Sequence, residues 1–124
     1  LIKDGWTITD DPLTLKYEEG SVLIDLGAER VIAAQRGNEK IAVEIKSFIG
    51  HSVIHDVQSA LGQYVIYLDF LELKDPERKL YLAISHEAYV SVFTMKVIQM
   101  LIRRNQVPLI VVDIETEEVI QWNS

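Results

Sequence analysis

The sequence predicts a single α/β domain, a mixed β-sheet flanked by helices, and three observations point there. Residues 41 to 45 alternate around Ile41, Val43 and Ile45, the period of a strand. Leu80–Ile84, a short continuous apolar run, and Leu109–Ile114 each follow a segment of helical periodicity, as strands buried on both faces do. The resulting order, hairpin, helix, strand, helix, strand, requires crossover helices that cover the sheet they return to.

Taken in order, Trp6–Thr9 reads as a short strand ended by a turn at Asp10-Asp11-Pro12, and Leu13 to Tyr17 is ambiguous. Val22 to about Ala34 reads as one strand with a bulge at Gly27. Gln35-Arg36-Gly37-Asn38 turns it into a second strand, Ile41 to Phe48, completing a hairpin. Gly50-His51-Ser52 breaks the pattern, and Ser52 can cap a long helix from Val53 to Leu73. Its expected buried face is Val53, Val57, Leu61, Tyr64, Leu68 and Leu71. Lys74-Asp75-Pro76-Glu77 stops that helix before the strand Leu80–Ile84. Ser85 can cap a second helix, His86 to Asn105, buried through Tyr89, Val92, Phe93, Val97, Met100 and Leu101. After the strand from Leu109, residues 115 to 118 turn the chain into Val119–Trp122.

A chain of 124 residues that is 48% hydrophobic has room for one domain and one core. Zero cysteines exclude disulfides, thiolate metal sites and a cysteine nucleophile, and fit a cytoplasmic protein. Apolar stretches fall short of the roughly 20 residues of a membrane span, so no membrane contact is expected. Leu1-Ile2-Lys3-Asp4-Gly5-Trp6 reads like a helix tail closed by glycine, which leads us to expect that an N-terminal helix is truncated. Twelve basic against nineteen acidic side chains give a formal charge of -7, which argues against nonspecific grip on nucleic acid. The basic clusters Arg30, Arg36, Lys40, then Lys74, Arg78, Lys79, then Lys96, Arg103, Arg104 are expected to be solvated faces.

Chemistry is suggested by Asp25 and, nineteen residues on, Glu44-Ile45-Lys46. Glu44 and Lys46 share one face of a strand while Val43 and Ile45 share the other. Asp25 and Glu44 could hold Mg²⁺, with the backbone carbonyl of Ile45 as a further oxygen ligand. A metal so held activates water, and Lys46 is placed to orient that water or stabilise developing negative charge. A tight hairpin turn would instead set Glu29 opposite Glu44, making it a rival to Asp25. The plainer reading, an exposed ion pair of Glu44 with Lys46 on a solvated hairpin, is favoured on spacing alone. Asp56, Ser59, Gln63 and Tyr67 form a polar stripe on the following helix, either its solvent side or a support for the site. His51 and His55 lack the HExxH context of a zinc pair and read as loop or cap residues, and His86 follows a cap. No G-x-S-x-G, phosphate-binding glycine loop or dinucleotide fingerprint occurs.

Ile24-Asp25-Leu26, Val43-Glu44-Ile45-Lys46 and Gln63-x-x-x-Tyr67 in this order resemble the PD-(D/E)XK nuclease superfamily, in particular its RecB-like branch. Isoleucine stands at position 24 where that pattern has proline. Over nearly its full length the chain resembles the XisH family, the controlling factors for excision of the fdxN element in heterocyst-forming cyanobacteria. The residues that carry this are Asp4-Gly5-Trp6, Ile24-Asp25-Leu26, Val43 to Phe48, Gly62-Gln63-Tyr64, Val111-Val112-Asp113 and Gln121-Trp122. The resemblance implies a restriction-endonuclease-like fold and a part in DNA rearrangement beside a recombinase and an XisI-type partner. It also implies an endodeoxyribonuclease site in which Asp25 and Glu44 bind Mg²⁺ or Mn²⁺, Lys46 assists water, and Gln63 and Tyr67 give support. The competing expectations are a noncatalytic regulatory subunit that keeps the nuclease fold, and a self-associating scaffold. Ile54, Ile66 and Phe70 make the long helix apolar on more than one face, so a homo-oligomer is expected under any of them.

Overall fold

The computed structural model describes residues 1–25, 30–46, 52–113, 115–116 and 118–123, and the side chains of these residues except 24 and 25. Among the described residues there are eight strands: β1 (Thr7–Asp10), β2 (Lys16–Glu19), β3 (Val22–Asp25), β4 (Arg30–Arg36), β5 (Glu39–Ile45), β6 (Lys79–Ser85), β7 (Leu109–Asp113) and β8 (Glu118–Asn123). Six of them form one mixed sheet in the order β1-β4-β5-β6-β7-β8, and β2 and β3 form a separate two-stranded sheet. The α/β architecture expected from the element order is therefore present.

The β4–β5 hairpin closes through Gly37 and Asn38, because Arg36 pairs with Glu39 and Gly37 adopts φ 61°. That positive φ is the conformation a two-residue hairpin turn demands and glycine supplies without strain. β5 then leads through α1 (Val53–Lys74) to β6, which lies parallel beside it. Ser52 caps α1 as expected, its Oγ accepting from the His55 N–H at 3.3 Å. From β6 the chain passes through a short α2 (His86–Ala88) and α3 (Lys96–Arg104) to β7, again parallel.

Two cores lie on opposite faces of the sheet. Val31, Ala42, Leu80, Leu82, Ile84 and Val111 face the side where Val57, Tyr64, Tyr67 and Leu71 of α1 and Ile98 of α3 are buried. Trp6, Ala34, Ile41, Val43, Tyr81, Ala83 and Ile110 form the second core. There the Trp6 ring is covered by the Arg36 guanidinium at 4.4 Å and stacks on Trp122 at 6.2 Å.

Three expectations are corrected. Val22 to Ala34 is not one strand: β3 pairs with β2 in the small sheet and β4 with β1 and β5 in the large one, with residues 26 to 29, the expected bulge at Gly27 among them, outside the described residues. His86 to Asn105 is not one helix. A π-helical turn at Tyr89–Phe93 follows α2, and Met95 is extended before α3 begins. Ser91 Oγ and Thr94 Oγ1 donate to the carbonyls four residues back, at 2.8 and 2.7 Å, and such back-bonding with β-branched neighbours bends helices. The break resets the phase, so Ile98 is buried and Val97 is exposed. On α1 the buried face is Val57, Ala60, Tyr64, Tyr67 and Leu71, rotated towards Tyr67 and away from Val53.

The far end of α1 is tied to the sheet by a charge cluster missed as such in the sequence. Arg78, expected on a solvated face, keeps only 9% of its side chain exposed and donates to the Ile41 carbonyl at 2.8 Å and to Asp75 at 3.2 Å. Lys40 meets the same Asp75 carboxylate at 3.0 Å. The hydrogen bond from Lys40, aided by Arg78 against a smaller cost of burial, holds the Asp75 carboxyl below its usual value of 3.8. A carboxylate whose pKa is lowered by folding adds stability above its unfolded value, and loses it as pH falls towards the folded one. Asp75→Asn is accordingly expected to lower the urea midpoint at neutral pH and to flatten its decline below about pH 4. A parallel decline in variant and wild type would refute this.

Candidate functional site

Glu44 is the feature of β5 that ordinary packing does not explain. Its relative exposure is 0%, and it is the buried charged residue among the described positions. In register it stands between Val31 of β4 and Leu82 of β6, both in the core beneath α1. Strand alternation places it on the face of Ala42, towards α1, while Ile41 and Val43 enter the opposite core. The solvated hairpin expected on spacing alone is thus overturned for Glu44: both faces of β5 are covered. Burying a carboxylate carries a desolvation cost that must be offset by local partners or by function.

The helix opposite responds to that charge. Tyr64 donates its hydroxyl to the Leu80 carbonyl at 2.8 Å, and its pKa is pushed up to about 12, first by burial and then by the negative charge of Glu44. Tyr64 was expected only as an apolar contact. The signal that could have found it is its position one turn before Tyr67 and beside Gln63, on the helix that follows the acidic strand.

The polar stripe on α1 runs along the boundary of the core. Tyr67 is buried with 3% exposure, Asp56 and Gln63 are half-buried, and Ser59 is exposed. The hydroxyl oxygen of Tyr67 and Oε1 of Gln63 are shielded from solvent, and Oε1 of Gln63 accepts no hydrogen bond among the described residues. Lys46, half-buried, extends the β5–β6 pairing by donating its backbone N–H to the Ala83 carbonyl at 3.0 Å. Ile45 pairs with Arg30 on one side and Ala83 on the other.

The acids proposed to join Glu44 are placed differently. Asp25 ends β3 and pairs in register with Lys16, in the two-stranded sheet rather than on a strand beside β5. Val31 takes the place opposite Glu44 that a turn centred one residue earlier would have given to Glu29. The side chain of Asp25 and all of Glu29 lie outside the described residues, as does His51. Among the described residues no three His, Asp or Glu side chains gather as a metal-holding group. His55 and His86 are exposed, the first in the opening turn of α1 and the second starting α2.

The donors that are present are hard oxygens: the Glu44 carboxylate, the Gln63 amide oxygen and the carbonyl of Ile45. Such donors suit Mg²⁺ or Mn²⁺ rather than a soft transition metal, and one or two carboxylates suffice where water and a substrate phosphate complete the shell. In donor type these oxygens match Mg²⁺ or Mn²⁺, while among the described residues Glu44 has no second or third acid gathered beside it as a metal-holding group.

Among the basic clusters, Arg30 pairs with Asp11 at 3.2 Å, Arg36 with Glu39 at 3.6 Å and Lys40 with Asp75. Cations committed to acids on the same chain contribute less to holding phosphates. No helix among the described residues is long and apolar enough to cross a membrane.

Comparison with known proteins agrees with this architecture. The family model described as XisH protein matches residues 1–120. The chain is similar to the crystal structure of an XisH family protein from Nostoc punctiforme PCC 73102, with 41% identity, a TM-score of 0.84, and coverage of 99% of this chain and 91% of that one. It is also similar to the structure of a fdxN element excision controlling factor protein from Anabaena variabilis, at 41% identity, a TM-score of 0.83 and the same coverage. No curated protein matches.

Proposed function

The chain belongs to the XisH family, and from that premise we propose that it acts as a controlling factor in excision of a DNA element, through a Mg²⁺-dependent endonuclease site anchored on Glu44. The observation that carries the reading is the complete burial of Glu44 on a central strand, facing a helix whose Gln63 and Tyr67 polar atoms are also shielded from solvent. A cation held at the site would supply charge neutralisation at a phosphoryl oxygen and a more acidic bound water.

The chain's own residues then divide the work. Glu44 and the Ile45 carbonyl hold the cation, with Asp25 as the second acid and Glu29 as its rival. Lys46 follows Glu44 on the same strand face and is placed to orient the attacking water through its ammonium N–H groups. Gln63 presents a buried amide oxygen, and Tyr67 a hydroxyl, that fix this arrangement from α1. DNA is the substrate of this reading, and a site-specific recombinase and an XisI-type protein are its partners.

A second reading, a noncatalytic regulatory subunit, is favoured by one observation: the charge of -7 with Arg30, Arg36 and Lys40 each engaged by an acid. Such a surface suits protein partners better than unaided DNA.

Calorimetric titration of the full chain with MgCl₂ or MnCl₂ separates the two. The nuclease reading expects saturable binding in the wild type and none in Glu44→Gln, with unchanged circular dichroism. Absence of heat at millimolar metal in the folded wild type would leave the regulatory reading in its place.

A further inference from the structure

The outward face of α1 carries a glycine that the chain itself does not use. Gly62 is exposed in the middle of a 22-residue helix, and a Cβ built on it meets nothing within 4 Å. Its backbone is not among the positive-φ positions of the described residues, which are Gly5, Gly20, Gly37 and Gln106. Neither conformation nor packing inside the chain requires the missing side chain, and glycine weakens a helix relative to alanine. A missing side chain in the middle of a helix face allows a second backbone to approach closely.

Around Gly62 the same face carries exposed apolar side chains. Ile54, Val65, Ile66 and Leu73 are exposed by 50, 47, 49 and 72%. At about 100° per residue, Ile54 and Val65 lie to one side of Gly62 and Ile66 and Leu73 to the other, with exposed Gln58 and Ser59 among them. Single exposed apolar residues are ordinary, whereas four on one helix face around a glycine are a concentration that burial against a partner would use.

The charges on this face say what covers it. His55 and Asp69 stand seven residues before and seven after Gly62, both near the midline of the exposed face, and neither side chain has a hydrogen bond or ion pair among the described residues. When two identical helices cross antiparallel on a two-fold axis, residues equally far before and after the crossing point meet. A crossing at Gly62 brings His55 of each copy to Asp69 of the other, twice over. An imidazole N–H donates to a carboxylate, and the pattern complements itself without any other chain.

We propose that α1 pairs with α1 of a second copy of this chain, antiparallel and crossing at Gly62, with Ile54, Val65, Ile66 and Leu73 as the apolar contact and His55–Asp69 as the orienting pair. The pairing is independent of the metal site, since these residues point away from the sheet and Glu44.

Sedimentation of the full chain over a range of concentrations tests it. The wild type is expected at twice the chain mass of 14.2 kDa, and Gly62→Arg at the chain mass under the same conditions with unchanged circular dichroism. Asp69→Lys is expected to weaken association tenfold or more, and adding His55→Glu to restore it, a rescue that only the antiparallel crossing produces. A wild type that stays at the chain mass up to millimolar concentration would overturn the pairing and leave the face to a different protein. A dimer indifferent to Gly62→Arg, or no rescue in the double variant, would also overturn it.

Discussion

Glu44→Gln is expected to abolish metal-dependent cleavage, lowering it by about a hundredfold or more, while the thermal midpoint stays level or rises. Glutamine keeps the shape of the side chain and one carbonyl oxygen but removes the negative charge that, in the proposed site, would hold a divalent cation. Losses of 10- to 100-fold are typical even for residues that only support a ligand, so about a hundredfold is a lower bound for an anchor. The stability half of the result follows from burial. A carboxylate with 0% exposure gives up its hydration on folding, and a neutral isostere gives up less. A residue kept for chemistry at the expense of stability shows this opposite movement of the two quantities. Measuring plasmid nicking with Mg²⁺ or Mn²⁺ and the melting temperature on the same preparation checks both. Unchanged nicking would remove Glu44 from the mechanism. A large drop in melting temperature would make its role structural.

Leu82→Ala is expected to cost about 3 kcal/mol of folding stability. The leucine has 0% exposure on β6, a strand with neighbours on both edges, and packs in the core beneath α1. Truncation removes buried methyl groups and leaves a cavity that β6 cannot close by moving, because β5 and β7 hold it in register. For a domain of this size such a loss lowers the melting temperature by roughly 10 °C. Leu82 also stands opposite Glu44 in the parallel pairing, so the new space adjoins the carboxylate. Cleavage should fall with it at temperatures where the variant is fully folded. A cost below about 1 kcal/mol would mean the core collapses around the gap.

Much of the sheet was legible because its strands obey short-range rules. β6 holds the apolar run Leu80–Ile84, β7 the run Leu109–Val112, and β5 alternates, so each could be read without knowing its neighbours. The division between β3 and β4 was not. Val22–Asp25 and Arg30–Arg36 both favour extended chain, and each is taken up by its own short hairpin, the first with β2 into the small sheet and the second with β5 into the large, a division that extended-chain preference does not encode. The same limit hid the position of Asp25, whose register mate is Lys16. The break between α2 and α3 was visible only as Ser91 and Thr94 in a run of β-branched residues, a weak signal until their hydroxyls are seen on the carbonyls one turn back. Burial of Glu44 could not be read locally, since a charge in an alternating strand looks solvent-facing. It follows from α1 covering that face, a fact of topology.

The two strands that flank Glu44 come from different distances along the chain. Val31 reaches it by the local turn of the β4–β5 hairpin, whereas Leu82 reaches it only after the whole of α1 has crossed over and β6 has aligned in parallel. Hairpins form in microseconds, and nonlocal parallel pairing is the slow event of such topologies. The surroundings of the carboxylate are therefore completed only after the hairpin has formed. A nascent or half-folded chain presents Glu44 to water on an open hairpin, without Leu82 or α1 to enclose it, so the buried charge on which the proposed function rests is a property of the finished sheet alone.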